Sequence, residues 1–146
     1  RTSSARIETT TIATDDVFDA SVVVRALVDH QPESVGWLRR IEPQEVSATC
    51  PDLLYEEVAN AVLVHQRAGR LAPADARDVL DAAAAVPFAT ETVKSLVVPV
   101  WIVANDRGLS AYDACYVVLA ETMGAPLVTA DKRLAAATPN SVLINP

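Results

Sequence analysis

The chain has 146 residues, 51% hydrophobic and 21% charged with four Gly, which suits one packed domain with a real core and excludes two comfortable ones. A formal net charge of −7 and a pI near 4.7 exclude a broad basic surface for gripping nucleic acid, so any contact with a polyanion has to be local. The longest apolar run, residues 96–104, is broken by Pro99 and falls far short of the ~20 residues that cross a bilayer, so no membrane segment is expected.

Residues 1–16 are rich in Ser and Thr, lack an initiator Met and have neither the apolar centre nor the cleavage site of a signal peptide. They read as an N-terminal tail, flexible or an expression remnant, ahead of a domain over 17–146. Within the tail, the TTTIAT stretch has the β-branched content of a strand. Val17 and Phe18 form a short strand that runs into Asp19, and residues 21–29 and 33–41 read as two helices. A strand at 46–49 leads to Pro51 at a helix start, with Thr49 and Asp52 spaced as a capping box. That helix carries Leu54, Val58, Ala61, Val62 and His65 at helical spacing through about Ala68, and Gly69 stops it. Next come a helix over 73–85, a short strand near Phe88, and a helix over 92–106 with Gly108 as its stop. Ser110 opens a further helix, 127–129 is a strand, 132–137 a short helix and 141–144 a last strand. Helices alternating with short apolar strands predict a three-layer α/β/α sandwich around a mainly parallel sheet.

Cys50 and Cys115 lie far apart with no CxxC spacing, and His30 and His65 form no HExxH-type pair, so zinc is not expected. Both thiols read as buried packing groups, which fits a reducing cytoplasm.

Four separated acids, Asp19, Glu57, Asp113 and Asp131, fall at strand ends or near helix starts. Taken singly, Asp19 and Asp131 read as N-caps and Asp113 as the partner of Ser110 in a capping box. Glu57 resists that reading, because the expected start places it about two turns into its helix, facing Leu53, Leu54 and Ala61. A charged Glu there needs a polar partner, and Arg25 or Arg67 is the simplest one.

In an open parallel sheet, groups beyond the strand ends converge where the strand order reverses. Two carboxylates ~4 Å apart repel by roughly 4 kcal/mol at an effective dielectric near 20, so four acids brought together need protons or a cation. Oxygen ligands without His or Cys select Mg²⁺ or Mn²⁺.

Four segments carry a resemblance: Asp19-Ala20-Ser21; Pro51-Asp52-Leu53-Leu54 leading to Glu57-Val58-Ala59-Asn60-Ala61; Gly108-Leu109-Ser110-Ala111-Tyr112-Asp113-Ala114; and Thr129-Ala130-Asp131-Lys132-Arg133-Leu134. In this order, over nearly all of 17–146, the chain resembles the PIN-domain nucleases and, within them, the VapC-type toxins of bacterial toxin–antitoxin pairs. The resemblance implies a magnesium-dependent ribonuclease in which Asp19, Glu57, Asp113 and Asp131 hold metal, while Ser21, Asn60 and Thr129 orient those carboxylates. Glu57, rather than Glu56, stands at the family's position. Arg25, Lys132 and Arg133 are the candidate phosphate contacts. A homodimer is also implied, together with a cognate antitoxin that lays a segment across the toxin and supplies a basic residue to the acidic pocket. Residues 22–28 and 33–41, with Trp37 exposed, are the expected surface for it.

Two rival readings remain at this point. One is a catalytically idle PIN-like module that only binds a partner. The other is a phosphoacceptor receiver domain with Asp15 and Asp16 as its acidic pair and Lys132 as its lysine.

Overall fold

Five parallel strands in the order β3-β2-β1-β4-β5 form the centre of the computed structural model, which describes residues 14–145. The elements are β1 (Thr14–Phe18), α1 (Ala20–Leu27), α2 (Pro32–Ile41), β2 (Val46–Pro51), α3 (Leu54–Arg67), α4 (Pro73–Ala85), β3 (Ala89–Glu91), a 3-10 turn (Lys94–Leu96), α5 (Val97–Arg107), α6 (Ala111–Met123), β4 (Leu127–Thr129), α7 (Lys132–Ala136) and β5 (Ser141–Leu143). β1 begins at Thr14 rather than Val17; the rest of the TTTIAT stretch lies outside the described residues.

The inner strands of the sheet are largely buried, as the centre of a parallel sheet is, while the short edge strand β3 is exposed. Val17 and Leu127, paired in register, share one face, where they and Cys50 pack with Leu54, Val58 and Val62 of α3 and Tyr116, Val117 and Leu119 of α6. Phe18, Val46, Ala48 and Val128 point to the other, packing with Ile41 at the end of α2 and with Ile144. Two apolar layers on opposite faces make the three-layer α/β/α sandwich expected from the sequence.

Several local expectations are corrected. Thr49 to Pro51 remain in β2 because Cys50 and Pro51 pair with Thr90 and Glu91 of β3, and α3 starts at Leu54 with no side-chain cap, so the Thr49–Asp52 box does not form. Glu57 therefore lies in the first turn of α3. The helix expected from residue 92 begins only at Val97, which puts Pro99 in the first turn, where its missing N–H has no intrahelical partner to lose. Gly108 and Gly124 end α5 and α6 with φ of 65° and 61°, the left-handed geometry that favours glycine.

Trp37 is half-buried rather than exposed. Its ring stands edge-on to Phe18 at 5.9 Å, and the Arg40 guanidinium covers it at 4.6 Å. The receiver-type pair also fails. Asp15 and Asp16 lie inside β1, paired with Ser47 and Ala48 and pointing to alternate faces, well short of the carboxyl end where a phosphoacceptor belongs.

A candidate carboxylate site at the strand crossover

β1 is the pivot of the sheet: β2 and β3 extend from one side of it, β4 and β5 from the other. The crevice of an open α/β sheet opens at such a reversal, beyond the carboxyl ends of the strands. Asp19 directly follows β1 and Asp131 follows β4 by one residue, so the two acids leave neighbouring strands at this edge. Glu57 and Asp113 occupy the first turns of α3 and α6, where the helix dipole favours negative charge.

Asp19 is buried at 5% exposure and is the N-cap of α1, yet its carboxylate does not cap the helix. Its Oδ2 accepts hydrogen bonds from the Ser21 hydroxyl at 2.5 Å and the Thr129 hydroxyl at 2.8 Å. Those hydroxyls accept in turn from the segment after β4: Ala130 N–H donates to Ser21 Oγ and Asp131 N–H to Thr129 Oγ1. Two short side chains thus tie the acid after β1 to the backbone after β4. Burial raises the Asp19 carboxyl above its ordinary range, the two hydroxyls pull it back, and the nearby Asp113 charge raises it further.

Glu57 meets a tyrosine rather than Arg25 or Arg67. The fully buried Tyr116 donates its hydroxyl to Glu57 Oε2 at 2.7 Å, a contact the sequence reading missed. One signal was available, since Asp113 and Tyr116 are three residues apart on α6 and share a face. Burial raises the Glu57 carboxyl, the Tyr116 bond lowers it, and the Asp19 and Asp113 charges raise it. The Tyr116 hydroxyl is itself pushed far up by burial and by Glu57.

Asp131 does cap its helix, as a single-residue reading expects: Oδ1 accepts from the Arg133 and Leu134 amides at 2.9 and 3.3 Å. Ser110 Oγ accepts from the Asp113 N–H at 3.1 Å, the first half of the expected capping box. The Asp113 carboxylate instead holds Arg133, with Nη2 2.9 Å from Oδ2.

Asp19, Ser21, Arg25, Glu57 and Asp131 line a common cavity of about 440 Å³. Asp113 is absent from its lining, although its charge is felt at both Asp19 and Glu57. Arg25 and Lys132 line an adjoining cavity of about 470 Å³ with Ser21 and Asp131, while Arg133 is committed to Asp113. Asn60 is exposed and lines a different cavity of about 780 Å³ with Asp52, Leu53, Glu56, Glu57 and Tyr112; among the described residues it bonds none of the acids.

Among the described residues no three His, Cys, Asp or Glu side chains form a ready-made metal cluster. The donor chemistry nevertheless fits a hard divalent cation. All four side chains offer oxygen, and the anchoring side-chain bonds fall on one oxygen each: Oδ2 of Asp19, Oε2 of Glu57, Oδ2 of Asp113 and Oδ1 of Asp131. Among the described residues the opposite oxygens carry no such bond, which leaves them for another partner.

The fold is that of a PIN domain. The PIN domain family matches the chain over residues 17–138, and the chain belongs to that family. Its relatives include the ribonuclease VapC9 of Mycobacterium tuberculosis, 34% identical over 118 residues that cover 81% of this chain and 87% of the relative. Among solved structures, PAE2754 from Pyrobaculum aerophilum is 27% identical with a TM-score of 0.66, covering 90% of this chain and 91% of that one. VapBC2 from Rickettsia felis, bound to a promoter DNA fragment, shares the fold at 14% identity with a TM-score of 0.64, covering 90% and 98%. No helix among the described residues is long and apolar enough to cross a membrane.

Proposed function

We propose that this chain is a metal-dependent endoribonuclease acting in the cytoplasm as the toxin of a toxin–antitoxin pair. Membership of the PIN family and the VapC relative support the activity. One structural observation carries it: acids from β1, α3 and β4 converge on a cavity at the strand crossover, where burial leaves Asp19 and Glu57 short of countercharge.

Asp19, Glu57 and Asp131 would hold Mg²⁺ or Mn²⁺, joined by Asp113 once Arg133 lets go. When bound, the ion supplies a more acidic water and neutralises charge on the phosphoryl oxygens of an RNA phosphodiester. The protein supplies the rest. Ser21 and Thr129 hold Asp19 against rotation, and Arg25 and Lys132 beside Asp131 offer cations to the phosphates.

The partner in this reading is an antitoxin that brings a basic residue to the acid cavity, a pairing favoured by a chain of net charge −7. A homodimer fits the α5 face, where Val97, Val98, Trp101 and Ile102 are exposed and uncharged. The Arg133–Asp113 pair favours one alternative, an idle partner-binding module whose own arginine permanently occupies the site. Incubating RNA with the wild-type chain and Asp19→Asn, in Mn²⁺ or Mg²⁺ and in EDTA, separates the two readings. Cleavage by the wild type with metal alone, lost in a folded Asp19→Asn, is expected; cleavage that persists in EDTA contradicts the proposal, and no cleavage under any condition favours the idle module.

A further inference from the structure

Glu57 stands on the wall between two cavities. One holds Asp19, Ser21 and Asp131; the other, larger at about 780 Å³, holds Asp52, Leu53, Glu56, Asn60 and Tyr112. A glutamate at such a partition has room on both sides, and repulsion from Asp19 and Asp113 drives it away from the acids. A single side-chain hydrogen bond between α3 and α6 among the described residues opposes that drift, the one from Tyr116 to Glu57.

We propose that Tyr116 is a positioning residue that keeps the Glu57 carboxylate facing Asp19 and Asp131 and out of the neighbouring cavity. This rests on the reading of Glu57 as a metal ligand. Tyr116 is suited to the task because it cannot move: it is fully buried between the sheet and α3, in the cluster that contains Val17, Cys50, Leu54 and Leu127. Its hydroxyl is the polar end of an otherwise apolar side chain, and a buried phenol without a partner is costly, so tyrosine and glutamate hold one another. Asp113 lies one helical turn before Tyr116 on α6, so the same helix carries one acid and fixes another.

Tyr116→Phe tests this, because it removes one oxygen and keeps the ring that fills the core. In a crystal structure of the variant, Glu57 is expected to turn into the cavity of Asp52, Glu56 and Asn60; a Glu57 unmoved from its wild-type position overturns the proposal. Calorimetric titration of Mn²⁺ into the full chain gives a second readout. Tyr116→Phe is expected to weaken binding by about 10–100-fold, the usual cost of losing a group that orients a ligand. In a Glu57→Gln background the same change is expected to cost nothing further; an equal loss there shows general core damage and overturns the proposal. A wild-type chain that binds no Mn²⁺ defeats the metal reading of the site, while the crystallographic readout still decides what Tyr116 does.

Discussion

Arg133 Nη2 lies 2.9 Å from Asp113 Oδ2, joining the first turn of α7 to the first turn of α6. The pair sets a cation of the chain against one of its own candidate metal ligands. Arg133 is 68% exposed, so the attraction is screened, and pairs of this kind are worth about 0.2–1 kcal/mol. It is strong enough to fix Asp113 when nothing else does, and weak enough for a divalent ion to displace.

Arg133→Ala is therefore expected to change thermal stability by no more than about 1 kcal/mol while tightening Mn²⁺ binding by a factor of about two to five. Titration calorimetry on the two proteins checks this. Weaker binding in the variant would mean that Arg133 assists the ion rather than competing with it.

The buried acids give stability a pH dependence of defined sign. Folding raises the Asp19 and Glu57 carboxyls above 3.8 and 4.5, so between those values and the raised ones the folded chain binds more protons than the unfolded chain. Their contribution to stability is then lost as the pH rises through that window and regained on acidification. In EDTA, the melting temperature is expected to rise as the pH falls toward the ordinary carboxylate range, with a shallower slope in Asp19→Asn. Identical slopes for the two proteins would remove Asp19 as a cause.

Both thiols should be inert in the folded chain. Cys50 is fully buried, and burial together with the Asp52 charge pushes its thiol up to about 12; burial also raises Cys115, reinforced by Glu57. Alkylation by iodoacetamide at pH about 8 is expected only after denaturation, as read by mass spectrometry. Rapid labelling of the native chain would contradict the burial.

On α5, Trp101 is 68% exposed and flanked by exposed Val97, Val98 and Ile102. Trp101→Glu is expected to leave the fold within about 0.5 kcal/mol of wild type and to shift sedimentation toward monomer. An unchanged dimer would move the self-interface elsewhere.

The alternation of strands and helices, and the placing of four acids at their junctions, was legible because it rests on local signals: period-2 and period-3.6 apolar spacing, the glycine stops, and Pro73 at a helix start. What escaped depends on which surfaces meet. Glu57 was given an arginine because partners were sought by charge, whereas its partner is the neutral hydroxyl of Tyr116, 59 positions on. Arg133 looked free for phosphate, but the fold brings it to Asp113, 20 positions away on α6. Trp37 is half-buried where exposure was expected, because an apolar helix face does not reveal whether another layer covers it. The Thr49–Asp52 box failed since strand pairing with β3 competed for the same residues. Even Pro99 carried a usable signal, for a proline in the middle of a helix from residue 92 argues for a later start.

The most direct test is a crystal of the wild-type chain soaked in Mn²⁺ and measured for anomalous scattering. A manganese peak bounded by Asp19, Glu57 and Asp131 is expected, with Asp113 released from Arg133 and turned toward the ion. Saturating Mn²⁺ that leaves the crossover cavity without a peak and the Arg133–Asp113 pair intact would contradict it.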